Sequence, residues 1–181
     1  MEVERAVSTI SRSGAEAVIL VGTYAPLARF IKRCHESGFN PYFHTVSFVG
    51  SEAFGREIKN RAVDAAEYEK IIVTQVVPSP LGDEHAVVQE YRAAMKTHFP
   101  KDEPNYVALE GYLNAKALDA VLRRAGRELT RDKLIAAFEA STDLDIGIGK
   151  RVSYGRLDHQ GLDGIYYSRM TADGRFRIFE P

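Results

Sequence analysis

Three short apolar runs in the first 77 residues have the length and composition of β-strands. They are AVILVG (17–22), YFHTV (42–46) and KIIVTQVV (70–77). A run that is apolar on both faces, such as 17–22, is typical of a central strand in a parallel sheet. Because helical patterns separate the runs, their order indicates an α/β fold.

Amphipathic helices are predicted between these strands. Apolar residues at helical spacing predict a first helix over 3–13. The second helix is marked by apolar positions at i, i+3, i+4 and i+7, which are Leu27, Phe30, Ile31 and Cys34. Gly38 follows as its C-terminal glycine, and Ser51 is placed to cap a third helix over 52–59. The periodicity therefore predicts helices that flank the sheet.

The chain changes character after residue 77. The segment PSPLGD (78–83) interrupts both patterns and is the best candidate for a boundary. Helical periodicity then predicts three helices, over 84–98, over about 105–125, and onward from a cap at Thr130. Two alternating runs around Asp173-Gly174 predict a terminal hairpin over 164–179. We therefore expect two unequal parts, the first α/β and the second mainly helical.

Composition and charge exclude several classes of protein. The 181 residues are 45% hydrophobic and carry 24 basic against 25 acidic side chains, for a net charge of −1. This balance gives no basic footprint for nucleic acid or for an anionic membrane, so no nucleic-acid partner is predicted. No apolar run reaches the length of about 18 residues that a membrane span needs. The chain as given also begins without the apolar core of a secretory signal, so we do not expect such a signal to export it.

No motif in the sequence predicts a catalytic residue, a metal site or a cofactor. GSEAFGRE (50–57) has the glycine spacing of a phosphate loop but lacks the Lys and the hydroxyl residue that contact phosphate and magnesium. The five histidines do not pair at helical spacing, so metal ligation is not predicted. Asp158-His159 is interpreted as turn chemistry. A small α/β hydrolase that uses this pair with Ser47 is kept as an alternative.

Two strand-to-helix turns are the candidates for a binding site. Ligands of open parallel sheets bind beyond the carboxyl ends of the strands, where helix N-termini present unpaired N–H groups. Thr23, Tyr24 and Ala25 follow the first predicted strand, and Ser47 and Phe48 follow the second. Tyr24 would bring an aromatic face and a hydroxyl to this edge. From spacing alone, the turns are either one wall of a small-molecule cleft or simple connectors.

The order of segments along the chain resembles that of one protein family. The segments that carry the resemblance are GAEAVILVGTYAPLARFIKRCHESGFNPYF, SFVGSEAF, VTQVVPSP, VVQEYRAAM, EPNYVALEGYLNAKALDAVLRRAG, LTRDKLIAAFEA and DHQGLDGIYYSRM. They are similar to successive segments in the C-terminal half of type I periplasmic binding proteins. Within that family they resemble the leucine/isoleucine/valine-binding type, the substrate-binding proteins of ABC transporters.

The resemblance implies a fold and a division of the chain. Family members have two Rossmann-like α/β lobes, each a parallel sheet flanked by helices, and hold the ligand in the cleft between the lobes. Residues 1–77 would belong to the C-terminal lobe, and 78–150 to a helical part of the N-terminal lobe after a hinge crossing. Residues 151–181 would supply terminal strands and the hairpin. Most of the N-terminal lobe would be missing, so an incomplete fold is expected.

The resemblance also implies a function without catalysis. The chain would be a fragment of a periplasmic solute-binding component that captures a small polar metabolite, an amino acid or a carboxylate, and presents it to an ABC permease. A ligand-sensing module of a receptor or regulator is the alternative on the same fold. With most of a lobe missing, uncovered helical faces would favour a homodimer or a domain swap.

The ligand contacts that carry over from the family are the two turns already named. They are Thr23, Tyr24, Ala25, Ser47 and Phe48. Amino-acid binders of this family commonly place an acidic residue near the Ser47 position, where it pairs with the ligand ammonium. Serine cannot supply that charge, so a carboxylate or a neutral metabolite fits at least as well as an amino acid.

Overall fold

The computed structural model describes residues 3–180, which divide into two compact units. The first unit contains the chain up to Val77 and from Ile165 onward, and the second contains Pro78–Gly164. In chain order the elements are α1 (Glu4–Ile10), β1 (Ala17–Ile19), α2 (Tyr24–Glu36), β2 (Tyr42–Val46), α3 (Ser51–Asn60), β3 (Ile71–Gln75), α4 (Ala86–His98), α5 (Tyr106–Ala125), α6 (Arg131–Glu139), β4 (Leu144–Asp145), β5 (Arg151–Val152), β6 (Tyr166–Met170) and β7 (Phe176–Phe179). Short 3₁₀ helices lie at Ser47–Val49 and Ala65–Lys70.

A five-stranded mixed sheet organises the first unit. Its strand order is β1-β2-β3-β6-β7. The three N-terminal strands are parallel, and the terminal hairpin adds β6 and β7 in antiparallel orientation. The α/β class and the hairpin around Asp173-Gly174 are confirmed.

Helix α2 packs its apolar stripe against one face of this sheet. The four residues predicted to form that stripe are all buried, and they are Leu27, Phe30, Ile31 and Cys34. Phe30 meets Phe43 of β2 edge-on, with ring centroids 6.3 Å apart. The helix ends where Gly38 adopts a φ of +77°, a left-handed conformation that glycine tolerates without a Cβ clash. This helix is therefore encoded locally, from its apolar spacing to its terminating glycine.

Helix α3 covers the same face and begins one residue earlier than predicted. Gly50, with a φ of +73°, is the N-cap, so the prediction that Ser51 would cap the helix is wrong. Ser51 is instead the first helical residue and is fully buried. Further along α3, Phe54 stacks on Phe176 of β7, with ring centroids 5.9 Å apart.

Strand β1 differs from its prediction as a central strand with two buried faces. In the sheet formed by residues 3–180, β1 lies at the edge. Val18 and Leu20 are buried, whereas Ile19 and Val21 are 79% and 75% exposed. Tyr42, on the same open face of β2, is 53% exposed. The apolar run was compatible with burial on both faces, but α2 and α3 cover only the face that carries Val18 and Leu20.

The second unit is mainly helical, as its periodicity predicts. The buried stripe of α5 contains Leu109, Leu113, Ala117 and Val121. Asn105 caps α5 by accepting a hydrogen bond from Ala108 N–H at 2.9 Å. Thr130 caps α6 by accepting one from Lys133 N–H at 3.2 Å, which confirms the predicted cap. A two-stranded antiparallel ribbon of β4 and β5 completes the unit.

Candidate functional site

The parallel pairing of β1 with β2 places their carboxyl ends at one edge of the sheet. Ile19 is in register with His44, and Leu20 N–H donates to the His44 carbonyl at 2.7 Å. The turn from Gly22 to Ala25 follows β1, and the 3₁₀ helix Ser47–Val49 follows β2. The structure therefore brings the two predicted turns to the same sheet edge.

The start of α2 presents backbone donors at this edge. Thr23 is the N-cap in an extended conformation, and within residues 3–180 its side chain makes no capping hydrogen bond. Pro26 has no N–H to satisfy, and Leu27 N–H bonds to the Thr23 carbonyl at 3.3 Å. The N–H groups of Tyr24 and Ala25 are therefore the helix-start donors that a ligand oxygen can accept from. The positive end of the helix dipole favours a negatively charged acceptor there.

Each of the two turns carries one exposed aromatic residue. Tyr24 is 43% exposed and Phe48 is 55% exposed, whereas Ser47 and Ala25 are half-buried. The turn that carries Ser47 and Phe48 is anchored by the buried side chain of Val49. A donor-rich helix start beside exposed rings can bind a small molecule that has an oxygen acceptor and an apolar part.

The five predicted contact residues carry no formal charge. The resolved pKa shifts instead belong to residues elsewhere in the first unit and in the second. A hydrogen bond from Arg29 holds the pKa of Glu4 at about 2, and burial raises the pKa of Cys34 to about 11. Neither group belongs to the five predicted contacts, so the candidate site relies on neutral donors and aromatic surface.

The side chains of Asp158 and His159 have separate hydrogen-bond partners. Asp158 accepts a hydrogen bond from Gln160 N–H at 2.9 Å, which is an Asx turn, and thus bears out the interpretation of this segment as turn chemistry. The ring of His159 lies instead 3.3 Å from a carboxylate oxygen of Glu139. In the part of the chain that the structure describes, no group of three His, Cys, Asp or Glu side chains could hold a metal ion.

Sequence reasoning missed a buried polar group at the carboxyl end of β3. Gln75, the last residue of β3, is fully buried and hydrogen-bonds to Ser51 and Ser168. Its signal was present, because Gln75 shares the inward parity of Ile71 and Val73 in an otherwise apolar run. A long amide at an inward strand position needs polar partners.

Comparison with known families assigns this fold. A family model described as periplasmic binding protein matches residues 1–175. The chain belongs to this family. As a periplasmic-binding-protein chain, it shares a fold whose members bind solutes. A comparison with curated proteins gives no match.

Solved structures agree with the family. A possible leucine/isoleucine/valine-binding protein from Rhodopirellula baltica SH 1 is 31% identical, with a TM-score of 0.89, over 99% of this chain and 47% of that protein. A substrate-binding periplasmic protein from Ralstonia solanacearum is 22% identical, with a TM-score of 0.83, over 98% of this chain and 49% of its own. A branched-chain amino acid ABC transporter protein from Thermus thermophilus with bound valine is 14% identical, with a TM-score of 0.74, over 99% of this chain and 48% of that protein.

The periplasmic-binding-protein chain spans about half the length of the structures that it matches. The expectation of an incomplete fold is confirmed in this sense. Among residues 3–180, no helix combines the length and the apolar character needed to cross a bilayer.

Proposed function

We propose that this chain belongs to an extracytoplasmic solute-binding component of an ABC transporter and binds a small metabolite at the shared edge of β1 and β2. The observation that carries the proposal is the convergence there of an uncapped helix start and two exposed aromatic rings. Thr23, Tyr24, Ala25, Ser47 and Phe48 are the proposed contacts. The family match supports binding as the activity. The proposed partner is a membrane permease, to which the ligand would be presented.

The chemistry of the edge favours a ligand with a carboxylate and an apolar body. The N–H groups of Tyr24 and Ala25, together with the hydroxyls of Thr23 and Ser47, suit carboxylate oxygens. Tyr24 and Phe48 suit an aliphatic or aromatic part. Among the similar structures, one is a possible leucine/isoleucine/valine-binding protein, one holds bound valine, and one is the substrate-binding protein of a fatty acid ABC transporter. All of these ligands combine a carboxylate with apolar carbon.

Three probes that share one carbon skeleton separate the contributions of the polar groups. L-leucine carries both a carboxylate and an ammonium, isocaproate lacks the ammonium, and leucinol lacks the carboxylate. We expect isocaproate to bind at least as well as L-leucine, because none of the five proposed contacts is acidic. Leucinol should bind most weakly, because it has no anion for the start of α2. Backbone NMR shifts at Thr23–Ala25 and Ser47–Phe48 would measure each titration.

The variant Tyr24→Ala tests the position of the site. It should weaken the affinity for the tightest-binding probe by more than about tenfold, or about 1.4 kcal/mol of binding free energy. Tyr42→Ala is the matched control, because Tyr42 is a tyrosine of similar exposure on the open face of β2. Equal affinities for the two variants, or shifts confined to residues away from the edge, would show that the site is misplaced.

Self-association through helical faces stays a prediction. It is supported by exposed apolar side chains on α5 and α6, namely Val107, Leu118 and Ile135. Sedimentation velocity over a range of protein concentrations should show a concentration-dependent dimer, which Leu118→Glu weakens. A monomer at every concentration would remove this part of the proposal.

A further inference from the structure

A buried amide joins three separate elements of the first unit. Gln75 Nε2 donates to Ser51 Oγ at 2.7 Å and to Ser168 Oγ at 3.0 Å. Ser168 Oγ in turn donates to the carbonyl of Val73 at 2.9 Å. All three polar side chains are 0% exposed. The network therefore ties the end of β3 to the first residue of α3 and to the middle of β6.

This network occupies a place that apolar side chains could fill. The remaining amide oxygen, Gln75 Oε1, is buried and has no hydrogen-bond partner among residues 3–180. Leaving a buried acceptor unpaired is unfavourable, whereas an apolar side chain of similar shape would carry no such cost. Stability of the core alone thus gives no reason for a glutamine here, and its two directional hydrogen bonds point to positioning.

The residues joined by this network lie close in sequence to the turn that carries Phe48 and to the points where the chain leaves and re-enters the first unit. Ser51 follows Ser47–Val49 and Gly50, so its position fixes the C-terminal end of the turn that carries Phe48. Gln75 pairs in register with Tyr166. The chain leaves this unit after Val77 and re-enters it at Ile165. Gln75 and its partner Tyr166 therefore lie at the roots of the two connections, which are the places where the chain leaves and re-enters the unit.

We propose that Gln75 is a positioning residue, whose amide holds the Ser47–Phe48 turn in a fixed relation to the roots of the two connections. The hydrogen bond to Ser51 restrains the turn, and the hydrogen bond to Ser168 restrains the β6 root. The effect of this restraint on binding rests on the proposed role of Ser47 and Phe48, but the restraint itself is measurable without any ligand.

Amide hydrogen exchange followed by NMR tests the restraint on the turn. Gly50 N–H, bonded to the Ser47 carbonyl at 3.2 Å, reports on the turn. Leu20 N–H, bonded to the His44 carbonyl, reports on the same sheet edge outside the network. Gln75→Leu should speed exchange at Gly50 by at least about tenfold and leave Leu20 unchanged. A role in stability alone would speed both amides together.

Single-serine variants separate the two arms of the network. Tyr167 precedes Ser168 in β6 and is in register with Thr74 of β3, so its amide reports on the second arm. Ser51→Ala should speed exchange at Gly50 and leave the amide of Tyr167 unchanged, whereas Ser168→Ala should do the reverse. If Gln75→Leu does not fold, Ser51→Ala decides the question, because it keeps Gln75 and its hydrogen bond to Ser168. The control is Thr45→Val, which removes a buried hydroxyl that has no partner in the described chain.

Two results would overturn the proposal. Gly50 exchange could respond to Gln75→Leu no more than to Thr45→Val, or it could rise in step with Leu20.

A binding arm uses isocaproate, for which Gln75→Leu and Ser51→Ala should each weaken affinity several-fold, with Ser168→Ala closer to the unmodified chain. If isocaproate, L-leucine and leucinol all fail to bind, the proposed function fails, and the exchange rates still decide the role of Gln75.

Discussion

Substituting Gly55 with alanine should push helix α3 away from the terminal hairpin. A Cβ added at Gly55 would lie 2.3 Å from the carbonyl oxygen of Gly174 and 3.7 Å from a ring carbon of Phe176. Real Cβ atoms do not approach a backbone oxygen so closely, so either the helix or the hairpin must move. Gly174 has a φ of +84° at the hairpin tip, a left-handed conformation that glycine adopts without a Cβ clash.

Two opposing effects set the size of the change. Alanine is the better helix former, which favours the variant by about 1 kcal/mol. Overpacking costs about 1–3 kcal/mol, and contact with a rigid backbone oxygen places this site in the upper part of that range. Moving the hairpin would also weaken the stacking of Phe54 on Phe176 and the hydrogen bond from Lys59 Nζ to the Asp173 carbonyl at 3.0 Å. We expect Gly55→Ala to lose about 1–2 kcal/mol of folding stability overall.

Gly111 is the matched control for this substitution. It lies inside α5 and is exposed, and apart from its chain neighbours and the backbone of its own helix, a Cβ added to it would meet no described atom within 4 Å. Gly111→Ala should therefore show the helix-forming gain alone, about 0.5–1 kcal/mol. The same chemical change is thus expected to have opposite signs at the two positions.

Thermal unfolding by circular dichroism measures both variants, and hydrogen exchange assigns each change to its helix. In a chain of this length, 1 kcal/mol moves the melting temperature by about 2–4 °C. Exchange should accelerate in α3 for Gly55→Ala and slow in α5 for Gly111→Ala. A Gly55→Ala protein as stable as the unmodified chain would refute the close contact between α3 and the hairpin.

Two further predictions concern ionisable groups. Burial raises the pKa of Cys34 to about 11, so at pH 8 the native thiol should have on the order of a hundredfold less thiolate than a free cysteine. Ellman's reagent should label Cys34 only in denaturant; rapid labelling of the native protein would contradict its burial. The hydrogen bond from Arg29 lowers the pKa of Glu4 from 4.5 to about 2 on folding. The ionised form is therefore favoured in the folded state above the unfolded pKa, and that stabilisation is lost as the pH falls from about 4.5 to about 2. As the pH is lowered across this range, the melting temperature should fall less for Glu4→Gln, which cannot titrate, than for the unmodified chain. An equal fall in both proteins would show that the Glu4–Arg29 pair does not attach α1 to α2.

The parts of the fold that sequence reasoning reached are those encoded within a few residues. The stripe of α2 and the left-handed Gly38, two residues past the helix end, lie within one short segment, and the Thr130 cap and its partner Lys133 are three residues apart. Such features depend on spacing and backbone conformation, which are readable without knowledge of the neighbours.

The features that were missed depend on distant partners. Ser51 resembles a helix cap locally, but its partner Gln75 is 24 residues away, and that contact draws Ser51 into the core. The run at 17–22 shows which residues are apolar but not how many strands and helices surround them. The location of the candidate site at the carboxyl ends of β1 and β2 followed from the rule for ligand sites in parallel sheets. The five contacts themselves stay a prediction.

The exposed margin of β1 also bears on how the chain behaves at high concentration. Its outer backbone groups and the apolar side chains of Ile19 and Val21 form a short template on which another chain could add a strand. Lysine at position 19 would act as a gatekeeper against such growth. Since Val18 and Leu20 point the other way and hold the packing, that single charge would protect preparations of the protein from aggregation without disturbing its interior.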